Sequence, residues 1–160
     1  MSRHAVNCSI AKSLGVFGER WSLLIIREAV MGTTRFDEFQ ARLGIARNML
    51  NTRLVNLVSD GILEKRASAD NARIFHYLLT DKGEDLFPVL VSIMQWGDRW
   101  IHHDIGAPIT LRDRKSGASI NDIGLTSQRG KPLTLDDIVI TPGPGATAVM
   151  RRRLQKPDYH

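Results

Sequence analysis

The residue types able to do chemistry gather in one short stretch. Between Glu38 and Asp60 there is no carboxylate, while Arg42, Arg47 and Arg53 fall inside that gap. With no like-charge repulsion to weaken the approach, such a stretch suits contact with phosphate. Arg47 carries the forked donors that pair with guanine, and Asn48, Asn51 and Thr52 carry groups that reach adenine edges or phosphates. At about 100° per residue, Asn48, Thr52, Asn56 and Ser59 lie opposite an apolar stripe of Leu50, Leu54, Leu57 and Val58. Arg47 and Asn51 flank that polar face at its N-terminal end, and Arg53 lies on its other edge. The competing reading of each residue is a merely solvated helix face.

Other reactive groups are fewer. Cys8 is the single cysteine, which excludes an internal disulfide and a cysteine-rich zinc site. Its thiol is a candidate redox sensor if Lys12, one helical turn later, or a helix N-terminus favours the thiolate; the alternative is a small buried residue. Trp21, Trp96 and Trp100 are candidates for lining an effector pocket, against ordinary core packing. His102, His103 and Asp104 are adjacent, so on a helix they point in different directions and make a poor metal site. Gly143-Pro144-Gly145 lacks the spacing of a phosphate loop. No nucleophile elbow, metal-ligand pair or carboxylate pair with a base emerges, so neither enzyme activity nor a cofactor is expected.

The elements that must position the polar helix follow from periodicity. Ile10 to Val30 has apolar residues at helical spacing, weakened by Gly15 and Gly18 into two shorter helices or one closely packed one. A short helix from about Arg35 to Leu43 ends at Gly44, and the polar helix runs from about Ala46 to Ser59. Ile62 to Arg66 and Ile74 to Thr80 read as a hairpin whose tip, with Asn71 and Arg73, projects towards a minor groove or backbone. Lys65 and Arg66 add phosphate contacts. Thr80 caps a long helix to about His102, with Pro88 inside its pattern and an apolar surface too wide for one small domain, which points to a second copy.

From Asp104 onward, glycines, prolines and short β-like runs replace helices. The tail from Thr141 through Arg151-Arg152-Arg153 is expected to be loosely ordered. Length allows one ordinary domain with an appendage, since the chain has 160 residues. The hydrophobic share of 42% and charged share of 24% are those of a globular protein. No apolar run approaches the roughly 18 residues of a membrane span, and no signal-peptide core is present, so a cytoplasmic location is expected. A net charge of +5 favours an anionic partner.

The chain also resembles a known family. Cys8, Gly18-Glu-Arg-Trp21, Arg35-Phe36-Asp-Glu-Phe39, Gly44-Ile45, Asp60-Gly61, Tyr77-Leu-Leu79-Thr80 and Trp96-Gly97-Asp-Arg-Trp100 are similar to the HxlR-type bacterial regulators, relatives of the MarR group. The resemblance spans about residues 6 to 101. It implies a dimer built from the N-terminal segment and the long C-terminal helix, a recognition helix at Ala46 to Ser59 and a wing at Ala67 to Arg73. The expected class is α+β: a winged helix-turn-helix domain over 1–103, with a long C-terminal dimerisation helix and a β-rich extension over 104–160. The expected DNA contacts are Arg35, Ala46, Arg47, Asn48, Asn51, Thr52, Arg53, Lys65, Asn71 and Arg73. The expected function is sequence-specific binding of a double-stranded operator by a homodimeric repressor, open to a small-molecule or redox signal. The rival is a winged-helix protein-interaction or small-molecule sensing module with little DNA binding.

Overall fold

A computed structural model describes residues 8–101 and 104–154. His102 and His103, the two histidines of the rejected metal site and the end of the long predicted helix, lie outside the described residues. Two compact units emerge among the described residues: one within Ser13–Ile123, and one made of residues 8–12 together with 124–154.

The larger unit begins within α1 (Ser9–Phe17), followed by α2 (Arg20–Val30). The break between them falls at Gly18-Glu19, which settles the choice in favour of two shorter helices. Next come α3 (Phe36–Leu43) and α4 (Arg47–Ser59), joined by a turn that needs Gly44. That residue has φ 60°, a left-handed conformation that only glycine adopts freely, and its N–H caps α3 by donating to the Gln40 carbonyl. Ala46 is the N-cap of α4 in an extended conformation and supplies no side-chain acceptor.

The core is the meeting of these helices. Ile25 and Ile26 of α2, Phe39 of α3 and Leu50, Leu54 and Leu57 of α4 are buried together with Ile45, Ile62, Leu63 and Tyr77. Each such side chain contributes about 1.5–3 kcal/mol on burial, so one face of α4 is anchored firmly. The opposite face is left to solvent: Asn48, Asn51, Thr52 and Asn56 are exposed.

Strands β1 (Leu63–Ala67) and β2 (Phe75–Leu79) pair antiparallel, Leu63 opposite Leu79 and Ala67 opposite Phe75. A single bridge from Arg35 to His76 adds the segment before α3 to this ribbon, completing the winged-helix arrangement. The long predicted helix is in fact two, α5 (Asp81–Glu84) and α6 (Phe87–Trp100), and Pro88 stands in the first turn of α6, where its missing N–H costs nothing. Thr80 is the N-cap of α5, its hydroxyl accepting from Gly83 N–H at 3.2 Å. After α6 the chain stays with this unit: Gln95 donates to the Asn121 carbonyl at 3.2 Å and accepts from Ile123 N–H at 2.7 Å. Arg99 pairs with Asp122 at 2.6 Å.

In the smaller unit, β3 (Leu125–Thr126) and β4 (Pro132–Leu133) form a minimal hairpin. A 3₁₀ turn at Leu135–Asp137 follows, where Asp137 accepts from Thr134 N–H at 2.9 Å. Where the sequence suggests a loosely ordered tail, the structure places α7 (Ala148–Leu154), with Arg151 reaching back to the carbonyls of Gly143 and Pro144 at 3.3 and 3.2 Å. The tail lacked a core to fold on; local caps and arginine-to-carbonyl bonds order it instead. Among the described residues, no helix is long and apolar enough to cross a membrane.

Candidate nucleic-acid interface

The start of α3 is held from both sides. Thr34 carbonyl accepts Tyr77 N–H at 2.8 Å, its hydroxyl lies 2.9 Å from His76 Nδ1, and Glu38 accepts Arg35 N–H at 3.2 Å. These bonds tie Arg35 to the hairpin. The wing tip is shaped locally: Asn71 Oδ1 accepts Arg73 N–H at 2.9 Å, and Ser68 N–H donates to the Ile74 carbonyl at 2.8 Å. Such an Asx turn fixes the main chain at the tip and leaves the arginine side chain outside.

Between the wing and the first turn of α4 lies a cleft of about 380 Å³. Arg35, Arg47, Asn48, Asn51 and Arg73, half of the residues expected to touch DNA, line it together. They come from three separate elements, so the fold and not the sequence order assembles them. The remaining lining is Phe36, Asp37, Ile74, Phe75 and Tyr77, which sequence reasoning did not assign to the site. For Phe36 the available signal was its place one residue into α3, as Arg47 is one residue into α4, since helix-turn-helix geometry brings those two helix starts together.

The electrostatics favour an anion. The first turn of α4 has no acidic residue, and the positive end of its dipole adds to Arg47. Asp37 is the cleft's carboxylate; it stands 3.8 Å from Arg35 and is mostly exposed. Arg47 lies over the Phe36 ring, 4.9 Å from its centroid, and Lys65 lies over Phe75 at 4.2 Å and Tyr77 at 5.9 Å. Burial pushes the Tyr77 hydroxyl above the usual tyrosine range, so it stays a neutral donor beside the cations.

The other candidates fall elsewhere. Thr52 is exposed on α4, its hydroxyl donating back to the Asn48 carbonyl at 2.9 Å, and Ala46 and Asn71 are exposed. Arg66 is paired with Glu64 along the wing strand. Arg53 does not join the cleft: its side chain is 21% exposed and bonds Glu19 at 3.2 Å. Trp21 is half-buried against the core with Arg20 stacked on it at 4.5 Å. Trp96 and Trp100, one turn apart on α6, are 59% and 69% exposed, and none of the three tryptophans lines the cleft. Cys8 is half-buried with a free thiol.

A sequence profile described as HxlR-like helix-turn-helix matches residues 16–105, the span that holds the core, α4 and the wing. The chain belongs to the HxlR family. Relatives agree: an HTH-type transcriptional regulator of Mycobacterium tuberculosis is 36% identical over 140 residues, covering 88% of this chain and 89% of that protein. Among solved structures, PA1607, described as a candidate transcription factor, superposes with a TM-score of 0.80 at 38% identity, covering 88% of this chain and 99% of its own. The redox regulator HypR, in its oxidized form, gives a TM-score of 0.54 at 27% identity and covers 61% of this chain and 99% of its own. The chain is therefore an HTH-type transcriptional regulator of winged-helix fold. A match over 140 residues must run past residue 103, so part of the segment after the winged helix is shared with the mycobacterial relative, whereas HypR matches a shorter span.

Proposed function

We propose that this HxlR-family protein binds a double-stranded operator sequence-specifically as a homodimer and represses transcription there. The observation that carries the reading is the cleft that joins Arg35, Arg47, Asn48, Asn51 and Arg73 from the N-cap of α3, from α4 and from the wing. In this arrangement α4 enters a major groove, Arg47 takes guanine, Asn48 and Asn51 take adenine edges or phosphate, and Arg73, Lys65 and Asn71 hold the flanking backbone. Thr52 and Ala46 lie along the same exposed face.

The dimer is favoured by α6, where Ile93, Trp96 and Trp100 are 49%, 59% and 69% exposed, an apolar row that a second copy covers. A two-fold pair presents two α4 helices to major grooves about one helical turn apart. An effector pocket at Trp96 and Trp100 then forms only between subunits, and Cys8 is the thiol through which an oxidant acts. The protein works in the cytoplasm as a binder, with no cofactor and no catalysis.

The test is selection of genomic fragments by the purified full chain, followed by binding measurements across salt concentration. Lys65 and Arg73 have no ion pair among the described residues, so a dimer making about four such phosphate contacts gives a log–log salt slope near −4. A slope near zero, or binding without preference for any fragment, defeats the reading.

A further inference from the structure

Of the guanidinium groups around the cleft, Arg47's rests on an aromatic ring that the core itself holds. Its Cζ is 4.9 Å from the Phe36 centroid, and Phe36 is half-buried against the core cluster. Arg35 instead faces the exposed carboxylate of Asp37 at 3.8 Å. A guanidinium is flat, with a face that stacks on π-electrons and an edge that carries its donors. A ring that takes the face leaves the edge free, and reading guanine requires two parallel donors from that edge.

We infer that Phe36 is a positioning residue: it holds the face of Arg47 so that the guanidinium edge points out of α4, and thereby sets discrimination at the base pair Arg47 reads. An unsupported arginine gives up rotamer freedom when it binds; one already laid on an anchored ring gives up less, and only in the orientation the ring permits. A lysine at the same position keeps the charge but has no plane to stack or to fork. Phe36 touches no base itself. This rests on the DNA-reading role of α4 proposed above.

The experiment takes the selected operator and a set of operators with single base pairs replaced, and measures binding of the full chain at several salt concentrations. Wild type, Phe36→Leu, Phe36→Tyr, Arg47→Lys, Arg47→Ala and the double variant Phe36→Leu with Arg47→Ala are compared, each checked for folding by circular dichroism. Phe36→Leu is expected to lose about tenfold in preference at one base pair. Its salt slope stays that of wild type because no charge is lost. Phe36→Tyr retains the preference. Arg47→Lys loses it at the same base pair with the slope unchanged, and Arg47→Ala loses it at that base pair as well. Adding Phe36→Leu to Arg47→Ala changes the preference no further.

The inference is overturned if Phe36→Leu weakens every operator alike, shifts preference at a different base pair, or still costs preference once Arg47 is gone. Should Phe36→Leu fail to fold, Phe36→Tyr and Arg47→Lys decide: an Arg47→Lys protein as discriminating as wild type refutes the face-and-edge geometry. Wild-type protein that selects no operator refutes the DNA-reading assignment itself, an outcome distinct from any of these.

Discussion

Replacing glycine by alanine at two sites should move stability in opposite directions. Gly83 is buried in α5, and a Cβ added there meets the Ile62 carbonyl oxygen at 2.2 Å and Leu79 Cδ2 at 2.9 Å. The first contact is roughly 0.8 Å inside the 3.0 Å that real Cβ atoms respect. The obstacle is main chain, and it is committed: the same oxygen accepts Thr80 N–H at 3.1 Å and the Thr80 hydroxyl at 3.2 Å. Forcing it aside costs about 1–3 kcal/mol of overpacking and about 1 kcal/mol of weakened hydrogen bonding. Alanine's smaller backbone entropy offsets about 0.5–1 kcal/mol, so Gly83→Ala should destabilise by about 2 kcal/mol.

Gly15 lies in the last turn of α1 with nothing within 4 Å of an added Cβ. There only the entropy and helix-propensity gain remains, and Gly15→Ala should stabilise by about 0.5–1 kcal/mol. Urea unfolding followed by far-ultraviolet circular dichroism measures both, and a midpoint shift at unchanged m-value reports stability alone. A loss under about 1 kcal/mol at Gly83, or shifts of the same sign at both sites, refutes the close-approach argument.

Three further outcomes follow from the site. Arg73→Ala should make the salt slope of DNA binding shallower by about one unit per contact, whereas Arg53→Ala should leave the slope alone and cost about 0.5–1 kcal/mol of stability, because Arg53 is occupied by Glu19. Equal slope changes in the two variants would contradict their different surroundings. Tyr77 is buried in its neutral form, so its folded-state pKa is raised; stability is unaffected below the ordinary tyrosine range and falls as pH rises through the folded value. A spectrophotometric titration of a Tyr159→Phe protein, which leaves one tyrosine, should show a phenol midpoint above that of the unfolded chain. If an oxidant releases the protein from DNA, Cys8→Ser should abolish the release, as no other cysteine exists; a surviving response excludes the thiol.

Much of α4 was legible because both of its faces are written at helical spacing. Leu50, Leu54 and Leu57 are buried as the i, i+4, i+7 pattern requires, and Asn48, Asn51 and Thr52 are exposed opposite them. Arg53 sits on the edge of that pattern, where spacing alone does not decide between solvent and neighbour. Glu19, brought alongside by the packing of α2 on α4, decides it, and that contact spans 34 residues of sequence. The cleft is hidden for the same reason: it depends on Thr34 meeting Tyr77 and on Arg35 pairing with His76, contacts with no local signature. The split of the long helix was half visible. Residues 80–85 carry no apolar side chain whose spacing could mark where one helix ends and the next begins, but Pro88 marks a helix start as well as a kink, and the structure takes the former. The short β-like runs after Asp104 give a β-containing extension but not where its strands fall: among the described residues Leu125–Thr126 pairs with Pro132–Leu133 and Arg112 makes a single bridge to Ser119, because strand position depends on which partner the chain meets.

The way each cation is held bears on what it contributes. Arg47 starts from a rigid helix whose inner face is locked by Leu50 and Leu54, and its guanidinium already lies on a ring. Its position is therefore defined before DNA arrives, which is what discrimination between bases requires. The main chain at Arg73 is fixed by Asn71, but its side chain is exposed on a two-stranded ribbon, and a hairpin of that kind is marginal without support at its base. A cation placed so loosely finds phosphate readily and a particular base edge poorly. Base preference should accordingly map to α4 and its Phe36 support, and salt-dependent affinity to the wing, so that chimaeras exchanging only residues 67–74 with a relative keep the operator sequence while changing the salt slope. A wing exchange that instead rewrote the preferred base pairs read by α4 would show that rigidity does not decide which element reads sequence.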